Sequence, residues 1–189
     1  MPEADAARPM RADAKRNYDR IVATAKELFS AHGADVPLDD IAKKSCVGAG
    51  TLYRHFPTRE TLIEAVYRDE IGQLADRALA LHEELPPWEA LQAWLEEQVT
   101  WVVERYKLAT ILKESIDSGS ETFQYCQTRL REATGVLAEA AQEAGLVRPD
   151  VTGIDVLRLG HGAGMAVRNC TPEDGKRVLG VILDGLRAH

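Results

Sequence analysis

The chain of 189 residues is 45% hydrophobic and 28% charged, with a formal net charge of −7, an ordinary soluble balance. No apolar run approaches the roughly 20 residues that cross a bilayer, and MPEADAARPMRADAKR lacks the apolar core of a signal peptide, so the expected compartment is the cytoplasm, with no membrane partner. The acidity argues against nucleic acid only until it is located: residues 1–60 carry ten Lys/Arg against nine Asp/Glu, and residues 61–189 thirteen against twenty-one, which leaves the first third free to present a local basic face.

Residues 1–13 are rich in alanine, proline and charge without periodicity, and a disordered arm is expected there. NYDRIVATAKELFSAHG then places Ile21, Val22, Ala25, Leu28 and Phe29 at helical spacing, with Gly33 as the stop. LDDIAKKS reads as a short second helix with Asp39 and Asp40 at its favourable N-terminal end. After Cys46-Val47-Gly48 comes a third short helix, AGTLYRHF, closed by Pro57. Thr58 suits the N-cap of a long fourth helix to about Glu84, striped by Ile63, Tyr67, Ile71, Leu74, Ala78 and Leu81. WEALQAWLEEQVTWVVERYK, a shorter LATILKESID, and SETFQYCQTRLREATGVLAEAAQEAG ending at Gly145 follow as helices. IDVLRLGHGAGMAVRN and PEDGKRVLGVILDGLRAH complete an all-α chain with no strand pattern.

Two short helices joined by a tight turn and braced by an earlier helix make the plan of a helix-turn-helix, here over residues 37–56. Ile41, Ala42, Val47, Leu52 and Phe56 suit the inside, with Leu28 and Phe29. That leaves Ala49, Gly50, Thr51, Tyr53, Arg54 and His55 to face outward, where hydroxyls and a ring suit phosphates and a small N-terminal end lets the helix approach bases. Lys43 and Lys44 add charge, or are simply a solvated face. Thr58 and Arg59 stand at the start of the next helix, where free backbone N–H groups favour a phosphate.

The stretch from about Ala14 to Leu74 resembles the DNA-binding domain of the TetR family of transcriptional regulators. The resemblance is carried by IVATAKELFSAHG and LDDIAKKSCVGAGTLYRHFPTRETLIEAV, above all by Gly50, Thr51, Leu52, Tyr53, His55, Phe56, Arg59, Glu60 and Leu62. It implies an N-terminal three-helix domain (14–74) joined by a long helix to a helical-bundle domain for ligand binding and dimerisation (75–189). It also implies a homodimer on a pseudo-palindromic double-stranded operator, usually a repressor, released by a small-molecule effector. By position, Thr51, Tyr53 and His55 look like phosphate contacts, and Arg59 resembles the basic residue that pins the DNA backbone. Ala49, Gly50 and Arg54 lie where family members approach bases. The chain departs from the pattern at Cys46, usually glycine, at Gly48, usually serine or threonine, and at Pro37, near the usual Thr or Ser cap. If Cys46 needs φ > 0 it is strained by roughly 1 kcal/mol or more. Gly48 and Ala49 remove two side chains that commonly touch DNA in the family, so base reading is expected to fall more on Arg54 and on an arm containing Arg8, Arg11, Lys15 and Arg16, which otherwise reads as a plain tail.

The C-terminal region carries no paired carboxylates, no nucleophile–base pair and no phosphate loop, so no catalysis, metal or cofactor is expected. Trp94, Trp101, Phe123, Tyr125, His161 and Met165 read as core or as an aromatic-lined effector cavity. Gly160 and Gly164, with Val178, Leu179, Ile182, Leu183 and Leu186, suit a four-helix interface across a two-fold axis, or the chain's own core. Cys46, Cys126 and Cys170 fit no zinc site or disulfide framework, and buried reduced thiols are expected; a redox switch is the alternative at Cys46. The leading reading is a ligand-responsive DNA-binding repressor. The alternative is a helical ligand-binding protein or enzyme with a vestigial helix-turn-helix.

Overall fold

The computed structural model describes residues 7–188, with side chains from Ala12 onward. Its elements are α1 (Ala7–His32), α2 (Leu38–Lys44), α3 (Ala49–His55), α4 (Arg59–Glu84), α5 (Pro87–Ser115), α6 (Glu121–Glu143), α7 (Gly153–Val167) and α8 (Pro172–Leu186). Among the described residues no helix is long and apolar enough to cross a membrane. The chain divides into two units. One runs up to Asp69 and includes Lys107–Ser120; the other holds Glu70–Tyr106 and the chain from Glu121 onward. The division therefore falls inside α4, slightly before the boundary at residue 74 drawn from sequence, and again inside α5, between Tyr106 and Lys107. No breaker marks either place, because both helices are continuous.

In the first unit α1 packs on α2 and α3. Ile21, Val22, Ala25 and Phe29 meet a core shared with Ile41, Ala42, Leu52, Phe56 and Leu62, all buried. Leu28 and Val47, expected inside, are half-buried, one at the edge of its stripe and the other in the turn. Helix α1 starts at Ala7, so residues 7–13 of the expected disordered arm are helical; residues 1–6 lie outside the described part. Pro9 falls in the first turn, where its missing N–H has no helical partner to lose, and the run from Met10 is rich in good helix formers. At the other end Gly33 (φ 91°) donates its N–H to the Phe29 carbonyl at 2.9 Å, the left-handed stop that glycine supplies.

Helix α2 closes through the turn that departs from the family pattern. Cys46 N–H donates to the Lys43 carbonyl at 3.2 Å and Val47 N–H to the Ala42 carbonyl at 3.1 Å. Cys46 takes φ 55° to allow this, the one positive-φ non-glycine among the described residues. A Cβ there meets the following carbonyl, at a cost of roughly 1–2 kcal/mol. Glycine relieves the strain but adds freedom to the unfolded chain. Cys46→Gly therefore raises stability by about 0.5–1 kcal/mol, measured by chemical denaturation; a lower stability contradicts the strain.

Helix α5, whose residues up to Tyr106 belong to the second unit, is one unbroken helix, where the sequence reading ended it near Lys107 and began another. The junction holds no glycine, proline or cap to end the first segment. Helix α6 packs on α7, and α7 on α8. Thr152 with Asp155, and Thr171 with Asp174, form capping boxes at the starts of α7 and α8. The Thr171 hydroxyl first, then the Arg177 guanidinium, hold the Asp174 carboxyl below its usual range. Gly160 and Gly164 are buried inside this unit, not turned outward as a dimer surface requires. A Cβ on Gly160 would lie 2.0 Å from Gln98 Oε1, and one on Gly164 would lie 2.5 Å from Val102 Cβ. Their small size lets α7 approach α5 within the chain; helical spacing identifies such a face but not its neighbour.

Candidate nucleic-acid interface

Helix α3 is held from below and open above. Leu52 is fully buried and Phe56 nearly so. Thr51 and Leu52 N–H groups both donate to the carbonyl of Gly48 (2.9 and 3.1 Å), which caps the helix in extended conformation. Ala49, Gly50, Tyr53 and Arg54 are exposed, and Thr51 is half-buried. A Cβ built on Gly50 meets nothing within 4 Å, so the first turn presents bare backbone. The Tyr53 hydroxyl donates to Asp39 Oδ1 at 3.5 Å, a long contact between α3 and α2. Lys43 and Lys44 are exposed on α2, and Lys44 pairs with Glu27 at 3.1 Å. Thr58 is exposed, its Oγ1 accepting from the Thr61 N–H at 3.3 Å.

Two of the ten expected contact residues face the protein instead. His55 is half-buried, with its ring edge-on to Tyr18 at 6.1 Å. Its Nε2 is buried and makes no hydrogen bond in the structure. Tyr18 itself lies on Phe56 at 5.0 Å, and burial pushes its hydroxyl above the ordinary value. Arg59 is half-buried, and its Nη1 donates to the carbonyls of Ala34 and, at 2.6 Å, Val36. Sequence reasoning missed Tyr18 and Asp39. Tyr18 stands just before the apolar stripe of α1, and an aromatic there is the one signal that could have marked a partner for His55. Lys15 and Arg16 are exposed on α1, where Arg16 pairs with Asp13; the side chains of Arg8 and Arg11 lie outside the described residues.

The second unit holds a half-open cleft of about 690 Å³ between α5 and α8. Val99, Val103, Leu179 and Leu183 are among its apolar lining residues, and Glu104, Arg168 and Lys176 among its charged ones. The Arg168 guanidinium stacks 3.7 Å over the Tyr106 ring. None of the six residues expected to hold an effector lines this cleft. Trp94 is fully buried, Trp101 and Phe123 are half-buried, and Tyr125, His161 and Met165 are exposed. Helix α8 is strongly amphipathic, yet only Leu179 and Leu186 are buried. Val178, Ile182 and Leu183 are half-buried, and Val181 is 68% exposed. On α7, Leu159 (39%) and Met165 (40%) are also exposed.

Residues 21–66 match the family model of bacterial regulatory proteins of the tetR family, and residues 86–188 match that of the SbtR-like transcriptional regulator C-terminal domain. The chain is similar to the TetR transcriptional regulator SCO0520 from Streptomyces coelicolor, at 37% identity over 90% of this chain and 98% of that one, with a TM-score of 0.71. It is likewise similar to a TetR transcription regulatory protein from Mycobacterium vanbaalenii, at 35% identity over 95% and 100%, with a TM-score of 0.75. The HTH-type transcriptional regulator SAR0097 of Staphylococcus aureus is 31% identical over 119 residues, 61% of this chain and 54% of that protein. The chain thus spans about half the length of that curated relative, and about a third of the next, which is 40% identical over 63 residues. With both of its regions matched and its helices arranged as in these regulators, the chain belongs to the TetR family of transcriptional regulators.

Proposed function

We propose that this regulator is a homodimeric repressor that holds a pseudo-palindromic operator and lets it go when a small molecule binds its second unit. The family fold implies DNA binding and dimer formation. The observation that carries the reading is the anchored, outward-open α3. Leu52 and Phe56 fix it from within, while Gly50, Tyr53 and Arg54 stand clear of the protein. Such a helix enters a major groove by its N-terminal end, with phosphate contacts setting its register. Thr51 and Tyr53 supply hydroxyls, Arg54 and Lys43 supply charge, and bare backbone at Ala49 and Gly50 permits close approach. A two-fold dimer would set two such helices about 34–36 Å apart, one turn of DNA.

The dimer surface is assigned to the apolar face that α8 leaves open, with Val178, Val181 and Ile182 at steps of three and four. Gly160 and Gly164 support it from behind by seating α7 on α5. The effector is assigned to the cleft between α5 and α8, whose lining of apolar and charged residues suits a small amphipathic molecule. Release is a population shift: the effector favours a conformer whose recognition helices no longer match the operator spacing. Helices α4 and α5 each run through both units.

Tyr53→Ala tests the site assignment. The side chain is 44% exposed, so its loss leaves helicity and dimer intact while removing one phosphate contact. Operator affinity falls about tenfold, the effect of one hydrogen bond to a charged group. Unchanged affinity in a gel shift removes Tyr53 from the interface.

A further inference from the structure

Arg59 opens α4, the place where a basic residue is expected to hold a DNA phosphate, yet its guanidinium is committed elsewhere. The chain leaves α1 after His32 and enters α2 at Leu38 through a five-residue connection, residues 33–37. That connection gives α2 a weak start. Its N-cap is Pro37, which offers no side-chain bond to the first turn. Only the Pro37 carbonyl accepts there, from Asp40 N–H (3.1 Å) and Ile41 N–H (3.3 Å). The carbonyls of Ala34 and Val36 both receive Arg59 Nη1. A charged donor shared by two carbonyls two residues apart fixes the curvature of the connection more firmly than a neutral contact would. The donor end is itself held in place, because Thr58 and Thr61 cap α4 reciprocally, each side-chain oxygen accepting from the other's N–H at 3.3 Å.

We propose that Arg59 is a positioning residue: it clamps the connection before α2 to the start of α4, and so sets the pose of α2 and α3 on the operator instead of gripping a phosphate. This rests on the reading of the chain as an operator-binding regulator. One consequence is that displacement of the start of α4 pulls on α2 through this guanidinium.

The test uses the full chain with Arg59→Gln and Arg59→Lys, and two readouts. In the free protein, amide hydrogen exchange at Asp40 and Ile41 becomes about tenfold faster in both variants, the loss of one hydrogen bond to a charged group. Amides of α6 keep their parent rates, because the opening is local and not global. Operator affinity falls about tenfold in Arg59→Gln, while the slope of log affinity against log salt stays at the parent value. A phosphate grip predicts instead a slope smaller by about 0.9, full recovery of affinity with lysine, and parent exchange rates at Asp40 and Ile41. Any one of those three overturns the proposal, as does a uniform rise in exchange across both units. Failure of the parent chain to bind any operator overturns the regulator reading instead; the exchange pattern, measured without DNA, still decides the clamp.

Discussion

Gly50→Glu abolishes operator binding, by about a hundredfold or more, in a chain at least as stable as the parent. The two effects have opposite signs because Gly50 is helical, exposed and faces empty space: a Cβ there meets nothing within 4 Å. Replacing a helical glycine gains roughly 0.5–1 kcal/mol of helix propensity. A carboxylate in the first turn of α3 is further favoured by the helix dipole. On the operator the same side chain stands where backbone must approach DNA and brings negative charge against phosphates. Like charges forced together across an interface cost several kcal/mol, and about 2.8 kcal/mol is already a hundredfold. Denaturation and a gel shift on one preparation check both halves. Retained binding would mean that the first turn of α3 does not enter the groove.

Val181→Asp is expected to convert the proposed dimer to monomers and to remove operator binding with it. Val181 is 68% exposed in the single chain, so a carboxylate there leaves the fold of one subunit intact. In a two-fold interface each substitution appears twice. Each copy forfeits the burial of a valine, roughly 1.5–3 kcal/mol, and leaves an unpaired charge to be desolvated. Dissociation strengthened by about a thousandfold or more is expected, read by sedimentation. A monomer reaches only one half-site, so affinity for the full palindrome falls with it. A dimer that survives the substitution places the interface elsewhere than α8.

What the sequence reveals of this protein is its local grammar. Leu52 and Phe56 stand at spacings that only a buried face explains, and both are buried. Gly33 and Gly145 mark helix ends because their positive φ is a local requirement. The φ of 55° at Cys46 follows from the same reasoning, since a turn that needs a left-handed residue needs it whichever side chain is present. What stayed hidden is long-range. Arg59 reads as a surface cation until the carbonyls of Ala34 and Val36 are seen to face it. His55 reads as an outward ring until Tyr18, from another helix, covers it. Gly160 and Gly164 are legible as a close-packing face, but the partner, α5 of the same chain, is visible only in three dimensions. The cleft between α5 and α8 combines residues of two helices distant in sequence; aromatic content pointed to other residues, and Trp94 among them is fully buried.

Selection of bound DNA from a random pool by the full chain tests the central claim most directly. Repeated rounds should enrich one pseudo-palindrome whose half-site centres lie one helical turn apart, or a related spacing, and binding to it should weaken steeply with salt. A pool that emerges without an enriched motif, or a motif with no two-fold symmetry, contradicts a dimeric operator-binding regulator.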